Sequence, residues 1–131
     1  MEDTRSYNIG ASDYSKHKFQ SWDFWITFAL NPFDADLVKR TLRTKETDGR
    51  LMDYQKIKHI AGERIRQLEI GPDVWPSPKQ PEGVNFDEMI EDYHLCDEDK
   101  DILKEILYSI YRKEAYKRIQ ILCDMRIKQL S

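Results

Sequence analysis

The sequence predicts an all-α fold, and three observations carry that prediction. Gly and Pro number five each, too few for the many tight turns of an all-β chain. Apolar residues recur every three or four positions over long stretches, the spacing of one helical face. Ser, Asn and Asp stand ahead of several such stretches, where their side chains can accept the free N–H groups of a first helical turn. The 131 residues suit one hydrophobic core. The charged fraction of 34% suits helices with solvated outer faces.

Residues 1–13 are polar and read as an N-terminal arm. The opening Met1-Glu2-Asp3-Thr4-Arg5 is acidic and has no apolar core behind it, so it is not read as a signal peptide. Ser21 is placed as the cap of a short helix to about Leu30. Its residues Trp22, Phe24, Trp25, Ile26, Phe28 and Leu30 leave almost no polar face, so it is expected to be buried all round. Asn31-Pro32 then opens a second helix to about Lys45, with Asn at the cap, Pro in the first turn and Asp34 at the positive end of the helix dipole. Phe33, Leu37, Thr41 and Leu42 are expected inward. Thr47-Asp48-Gly49-Arg50 is read as a turn.

The third helix is set at Leu51–Ile70, because Leu51, Tyr54, Ile57, Ala61, Ile65 and Leu68 fall on one face. Gly71-Pro72 stops it. Residues 71–84 hold four of the prolines and read as an extended linker pinned by Trp75. Asn85-Phe86-Asp87-Glu88 is a capping-box signature for a short helix to about Leu95. Asp97 is placed as the cap of one final helix, Glu98 to about Leu130. Unbroken, it would be about 45–50 Å long, which favours a kink or packing against a partner chain. The division is thus an arm at 1–13, a helical hairpin region at 14–70, a linker at 71–84, and a short acidic helix plus long C-terminal helix at 85–131. The last region would pack on the same core or on a partner chain. No internal repeat is read.

Charge is unevenly distributed. Residues 39–58 hold seven Lys or Arg against three acids, and residues 82–101 hold nine acids against Lys100. Either the two segments neutralise each other, or the basic one awaits an anionic ligand. The longest uncharged run, around Phe24–Asn31, is far short of the roughly 20 apolar residues that span a bilayer.

The glycines are isolated, so neither a P-loop nor a dinucleotide fingerprint can be built. His94-x-Cys96 lacks the second pair of a tetrahedral zinc site. No metal site is assigned. Asp97-Glu98-Asp99-Lys100-Asp101 begins like a calcium loop, but Ile102 and Tyr108 occupy the positions that need Gly and Glu. Cys123 reads as a small core residue.

One constellation remains. Lys39 and Arg43 stand four apart on the second helix with Lys45 beyond, and like charges at that spacing repel by about 0.2–0.5 kcal/mol. A hairpin over Thr47–Arg50 would let Asp53 answer Arg43. Alternatively the cations clamp a phosphate, Arg43 as a two-pronged donor and the lysines as point charges, with Tyr14 and Trp22 available to stack a base. Asp53, Lys56, Glu63 and Arg64 are placed on faces of the third helix away from its apolar stripe.

Residues 14–69 resemble the SaV-like phage domain family, many of whose members are called nucleotide kinases. The resemblance rests on Tyr14-Ser15-Lys16-His17 followed by Asp23-Phe24, on Val38-Lys39-Arg40-Thr41-Leu42-Arg43-Thr44-Lys45, and on Gly49 followed by Asp53-Tyr54-Gln55-Lys56 and Arg64. The chain departs from the family pattern at Lys18-Phe19, Arg40 and Ile60. The resemblance implies an oligomeric phage protein of the host cytoplasm that binds a nucleotide through Lys39, Arg43, Lys45, Lys56 and Arg64. Asp23 and Asp53 would be its acid, base or metal-binding candidates. Phosphoryl transfer would call for Mg²⁺, so whether the chain is an enzyme stays open. Two other functions fit the same residues: a non-catalytic sequestrant of a host immune signalling nucleotide, and an acidic interaction protein that inhibits a host enzyme. A nucleic-acid partner is not expected from this charge balance.

Overall fold

The computed structural model describes residues 18–43 and 47–131, and the described residues form six α-helices with no strand. They are α1 (Ser21–Thr27), α2 (Pro32–Leu42), α3 (Thr47–Ile70), α4 (Phe86–Ile90), α5 (Asp97–Tyr108) and α6 (Arg112–Leu130). The predicted arm, Tyr14 and Lys45 lie outside the described residues. No helix among those described is long and apolar enough to cross a membrane.

Local sequence chemistry sets most helix starts. The Asn31 side chain accepts the Asp34 N–H at 2.8 Å, and Asn85 accepts the Glu88 N–H at 3.1 Å. The cap of α1 is Gln20, not Ser21, and its N–H donates to Asp23 Oδ2 at 2.8 Å. α1 ends with Ala29 at φ 50°, where the Leu30 N–H reaches the Trp25 carbonyl at 3.0 Å. This is the left-handed closing turn that glycine usually occupies.

α1 is not buried all round. Phe24 and Phe28 are fully buried, but Ile26 is 74% exposed and Trp22 38%. With seven residues, α1 lies on the body by one face and turns the other outward. The expected turn at Thr47–Arg50 is instead the first turn of α3. Gly49 does not break it, because tertiary contacts of Arg50 outweigh a helix cost of about 1 kcal/mol.

The expected final helix is two helices. Ser109, Ile110 and Tyr111 separate α5 from α6 although the break holds neither Gly nor Pro. The Arg112 guanidinium causes the stop: Nη1 takes the Ile106 and Ser109 carbonyls, each at 2.9 Å. These are the orphan acceptors of the last turn of α5. α6 then doubles back and packs most extensively along α3 of the same chain.

Leu37, Val38, Ile57, Ile102, Leu103, Ile106, Leu107 and Ile119 are fully buried and join α2, α3, α5 and α6 in one core. The linker crosses this body through polar contacts more than through Trp75, which is 36% exposed. The Lys79 N–H donates to the Phe28 carbonyl at 2.8 Å, and Gln80 Nε2 donates to the Leu107 carbonyl at 2.8 Å.

Candidate functional site

Arg43 and Asp53 meet across the α2–α3 hairpin, Nη1 to Oδ1 at 3.2 Å. Asp53 is 2% exposed, and its Oδ2 is buried with no hydrogen-bond partner among the described residues. Arg43 keeps part of its side chain in solvent. A buried carboxylate oxygen left unsatisfied is costly. Lys39, one turn before Arg43, is half-buried, and Lys56, one turn after Asp53, is exposed. Neither makes a hydrogen bond or ion pair among the described residues.

Arg64 and Asp53 were expected on the outer face of α3, and both are buried. Arg64 is 1% exposed, with Nη2 on Asp73 at 2.7 Å, Nη1 on Gln67 at 2.6 Å and Nε on the Tyr116 hydroxyl at 3.2 Å. It falls seven residues after Ile57 and three after Ala61, hence on the apolar stripe itself. Its donors are committed to the fold and leave it no fork for a solvent-borne phosphate. Asp23 belongs to the cap of α1, and Trp22 stands half exposed on that helix. No group of three or more His, Cys, Asp or Glu that could hold a metal ion occurs among the described residues.

Two buried polar clusters were not read from the sequence. In the first, fully buried Asp34 accepts from Arg112 Nη2 at 2.7 Å, from the Tyr116 hydroxyl at 2.6 Å and from Asn31 Nδ2 at 3.0 Å. Burial pushes the Asp34 carboxyl above the usual carboxylate range, and Arg112 and Tyr116 partly offset this. In the second, Asp99 pairs with Arg50 Nη2 at 2.8 Å and accepts the Tyr54 hydroxyl. Arg126 Nε reaches the same hydroxyl at 3.1 Å. Burial and the bond to Asp99 push the Tyr54 phenol upward. Arg50 also donates to the Arg40 and Thr41 carbonyls at 2.9 and 2.8 Å, closing the C-terminus of α2. The available signal was an Arg followed four residues later by a Tyr at the start of each long helix, Arg50/Tyr54 and Arg112/Tyr116.

The basic and acidic segments meet chiefly through Arg50–Asp99; Lys58 pairs instead with Asp124 and Arg40 with Asp36. Three open hollows lie elsewhere on the surface. One of about 620 Å³ is lined by Gly83–Asp87, Lys104 and Tyr108. Another of about 470 Å³ lies between α3 and α6 at Lys58, His59, Gly62 and Gln120. The third, about 390 Å³, lies between α5 and α6 at Asp101, Lys104, Glu105, Arg118 and Ile121. None of the three is lined by Lys39, Arg43 or Lys56.

Comparison of the chain with protein-family models, curated proteins and solved structures finds no match.

Proposed function

We propose that this chain binds a nucleotide or nucleotide-derived small molecule through its phosphates, at the α2–α3 hairpin. The observation that carries the reading is the arrangement around Arg43: Lys39 and Lys56, which make no hydrogen bond or ion pair among the described residues, flank a part-exposed Arg on one hairpin. Lysine ammoniums act on phosphate as point charges, and a part-exposed guanidinium adds directed donors. Lys45 extends the same run in sequence. Arg64 is left out, because it is 1% exposed and each of its nitrogens already bonds within the fold. The resemblance to the SaV-like phage family supports Lys39, Arg43, Lys45 and Lys56, and with them a phage protein of the host cytoplasm that works as an oligomer. The chain holds its ligand without turnover, and sequestration of a signalling nucleotide is the biological sense of that binding. Kinase activity would need Mg²⁺ and a base, for which Asp53 is the nearest carboxylate.

A second reading has one observation of its own. Asp87, Glu91, Asp92, Asp97 and Asp101 are all exposed, a concentration of negative charge suited to a basic protein partner.

Native mass spectrometry of protein purified from infected cells, with denaturation to release bound ligand, tests the first reading. A co-purifying nucleotide, lost in Lys39→Ala and Lys56→Ala, is the expected result. An empty protein that does not bind added nucleotides, but retains one host protein, would decide for the acidic segment.

A further inference from the structure

The two buried clusters are the same device built twice, and the repetition extends along the chain. The buried residues of α2 are Asp34, Leu37, Val38, Thr41 and Leu42; those of α5 are Asp99, Ile102, Leu103, Ile106 and Leu107, each 65 positions later. The N-cap residues Gln20 and Asn85 of α1 and α4 differ by the same shift, as do the buried pairs Phe24/Met89 and Phe28/Tyr93. Between α3 and α6 the shift is 62, and Arg50, Tyr54, Ile57 and Arg64 recur as Arg112, Tyr116, Ile119 and Arg126. The segment Arg64-Ile65-Arg66-Gln67-Leu68 reads again as Arg126-Ile127-Lys128-Gln129-Leu130. The shift changes within each hairpin, where the first has the longer connection.

The contacts are reciprocal, as in an isologous pair. Arg112 and Tyr116 of the second half bind Asp34 of the first, and Arg50 and Tyr54 of the first bind Asp99 of the second. Arg64 reaches Tyr116 at 3.2 Å, and Arg126 reaches Tyr54 at 3.1 Å. Arg50 closes the carbonyls of Arg40 and Thr41, while Arg112 closes those of Glu105 and Ile106, the matching positions. Even Arg64–Gln67 and Arg126–Gln129 repeat, both at 2.6 Å. Unrelated helices packed on one core have no reason to reproduce six such contacts, with one shift throughout α2 and α5 and one throughout α3 and α6.

We propose that the chain is an internal duplication: two copies of one three-helix unit, α1–α3 and α4–α6, docked about a pseudo-twofold axis between α3 and α6, with the anion site kept only in the first copy. The second clause rests on the nucleotide-binding reading above and sharpens it to one site per chain. The comparison of the copies separates residues the fold needs from residues it does not. Arg43 and Asp53 correspond to Tyr108 and Ala115, so the docking device works without that ion pair. Lys39 and Lys56 remain cationic as Lys104 and Arg118, but Arg40 is replaced by Glu105, which pairs with Arg118 at 2.8 Å. The second copy's cations are thereby offset by Glu105, whereas the first copy has no acid at the matching position, Arg40.

The test uses the full chain in two arms. In the first, Tyr54→Phe and Tyr116→Phe are made singly, and the equivalent core residues are exchanged as Ala61→Cys with Cys123→Ala. The two Tyr variants should lower the urea midpoint equally, within a factor of about two, and the exchange should leave a cooperative transition near the wild-type midpoint. A large loss from one Tyr variant and none from the other, or an exchange that unfolds a chain tolerating Cys123→Ala alone, overturns the duplication. In the second arm, inorganic triphosphate is the probe. Transplanting the second copy's residues, Arg43→Tyr with Asp53→Ala, should keep the chain folded and weaken binding at least about tenfold (about 1.4 kcal/mol), while Lys104→Ala changes nothing. Equal losses from both overturn the single site. Triphosphate that fails to bind the unaltered chain overturns the nucleotide-binding reading, and the first arm still decides the duplication.

Discussion

The Tyr116 hydroxyl donates to Asp34 Oδ1 at 2.6 Å, tying α6 to the first turn of α2 across 82 positions of sequence. Asp34 is fully buried and also holds Arg112, so its loss would strand a guanidinium in the interior. Breaking a buried ion pair by removing one partner costs about 3–5 kcal/mol. Asp34→Asn is therefore expected to lower the stability of the chain by that amount in urea unfolding. Tyr116→Phe, which removes one hydroxyl and leaves the ion pair, should cost about 1–3 kcal/mol.

The cations of the candidate site are expected to separate by their effect on folding. Arg43→Ala strips the buried Asp53 carboxylate of its partner, at a cost of about 1–3 kcal/mol. Lys39→Ala and Lys56→Ala break no contact and should stay within about 0.5 kcal/mol of the parent. Thermal unfolding beside triphosphate titration distinguishes the roles: a loss of binding in the lysine variants at unchanged stability belongs to the ligand site.

Alkaline pH should destabilise the fold. Burial pushes the Cys123 thiol from its ordinary 9.0 up to about 12 and moves the Tyr54 phenol upward as well. Between pH 9 and 12 the unfolded chain releases the Cys123 proton and the folded chain keeps it, so stability falls as pH rises. The slope from one such group is at most about 1.4 kcal/mol per pH unit. Cys123→Ala should flatten the decline in urea midpoints measured from pH 8.5 to 10.5. A decline of unchanged slope would assign it to other groups.

Two backbone positions are expected to accept improvement. Ala29 sits at φ 50°, where a side chain costs about 1–2 kcal/mol relative to glycine. Ala29→Gly should raise the melting temperature even though it loosens the unfolded chain. Gly62 lies within α3, and a Cβ there would meet Gln120 Nε2 at 3.0 Å. That atom ends a flexible side chain whose bond to the Lys58 carbonyl is already long at 3.3 Å. Gly62→Ala is expected to stabilise by about 0.5–1 kcal/mol, read as a rise in urea midpoint. A fall would show that Gln120 is held in place.

Read without its structure, the sequence determined the fold class, the linker and the starts of α2 and α4, because caps, periodicity and Gly-Pro stops act over a few residues. Asn31 with Asp34 and Asn85 with Glu88 each complete their contact within one turn. The Arg43–Asp53 pair was legible for the same reason, its two residues lying one short hairpin apart. What tertiary structure decided has its cause at a distance. Arg50 continues α3 through Gly49 because Asp99 lies opposite it, and α5 stops at Tyr108 because Arg112 collects its last carbonyls. Arg64 is charged yet buried, since Asp73 and Tyr116 arrive from other parts of the chain to hold it. A charge enters an interior only when its partners are already assembled there, and that assembly belongs to the folded chain.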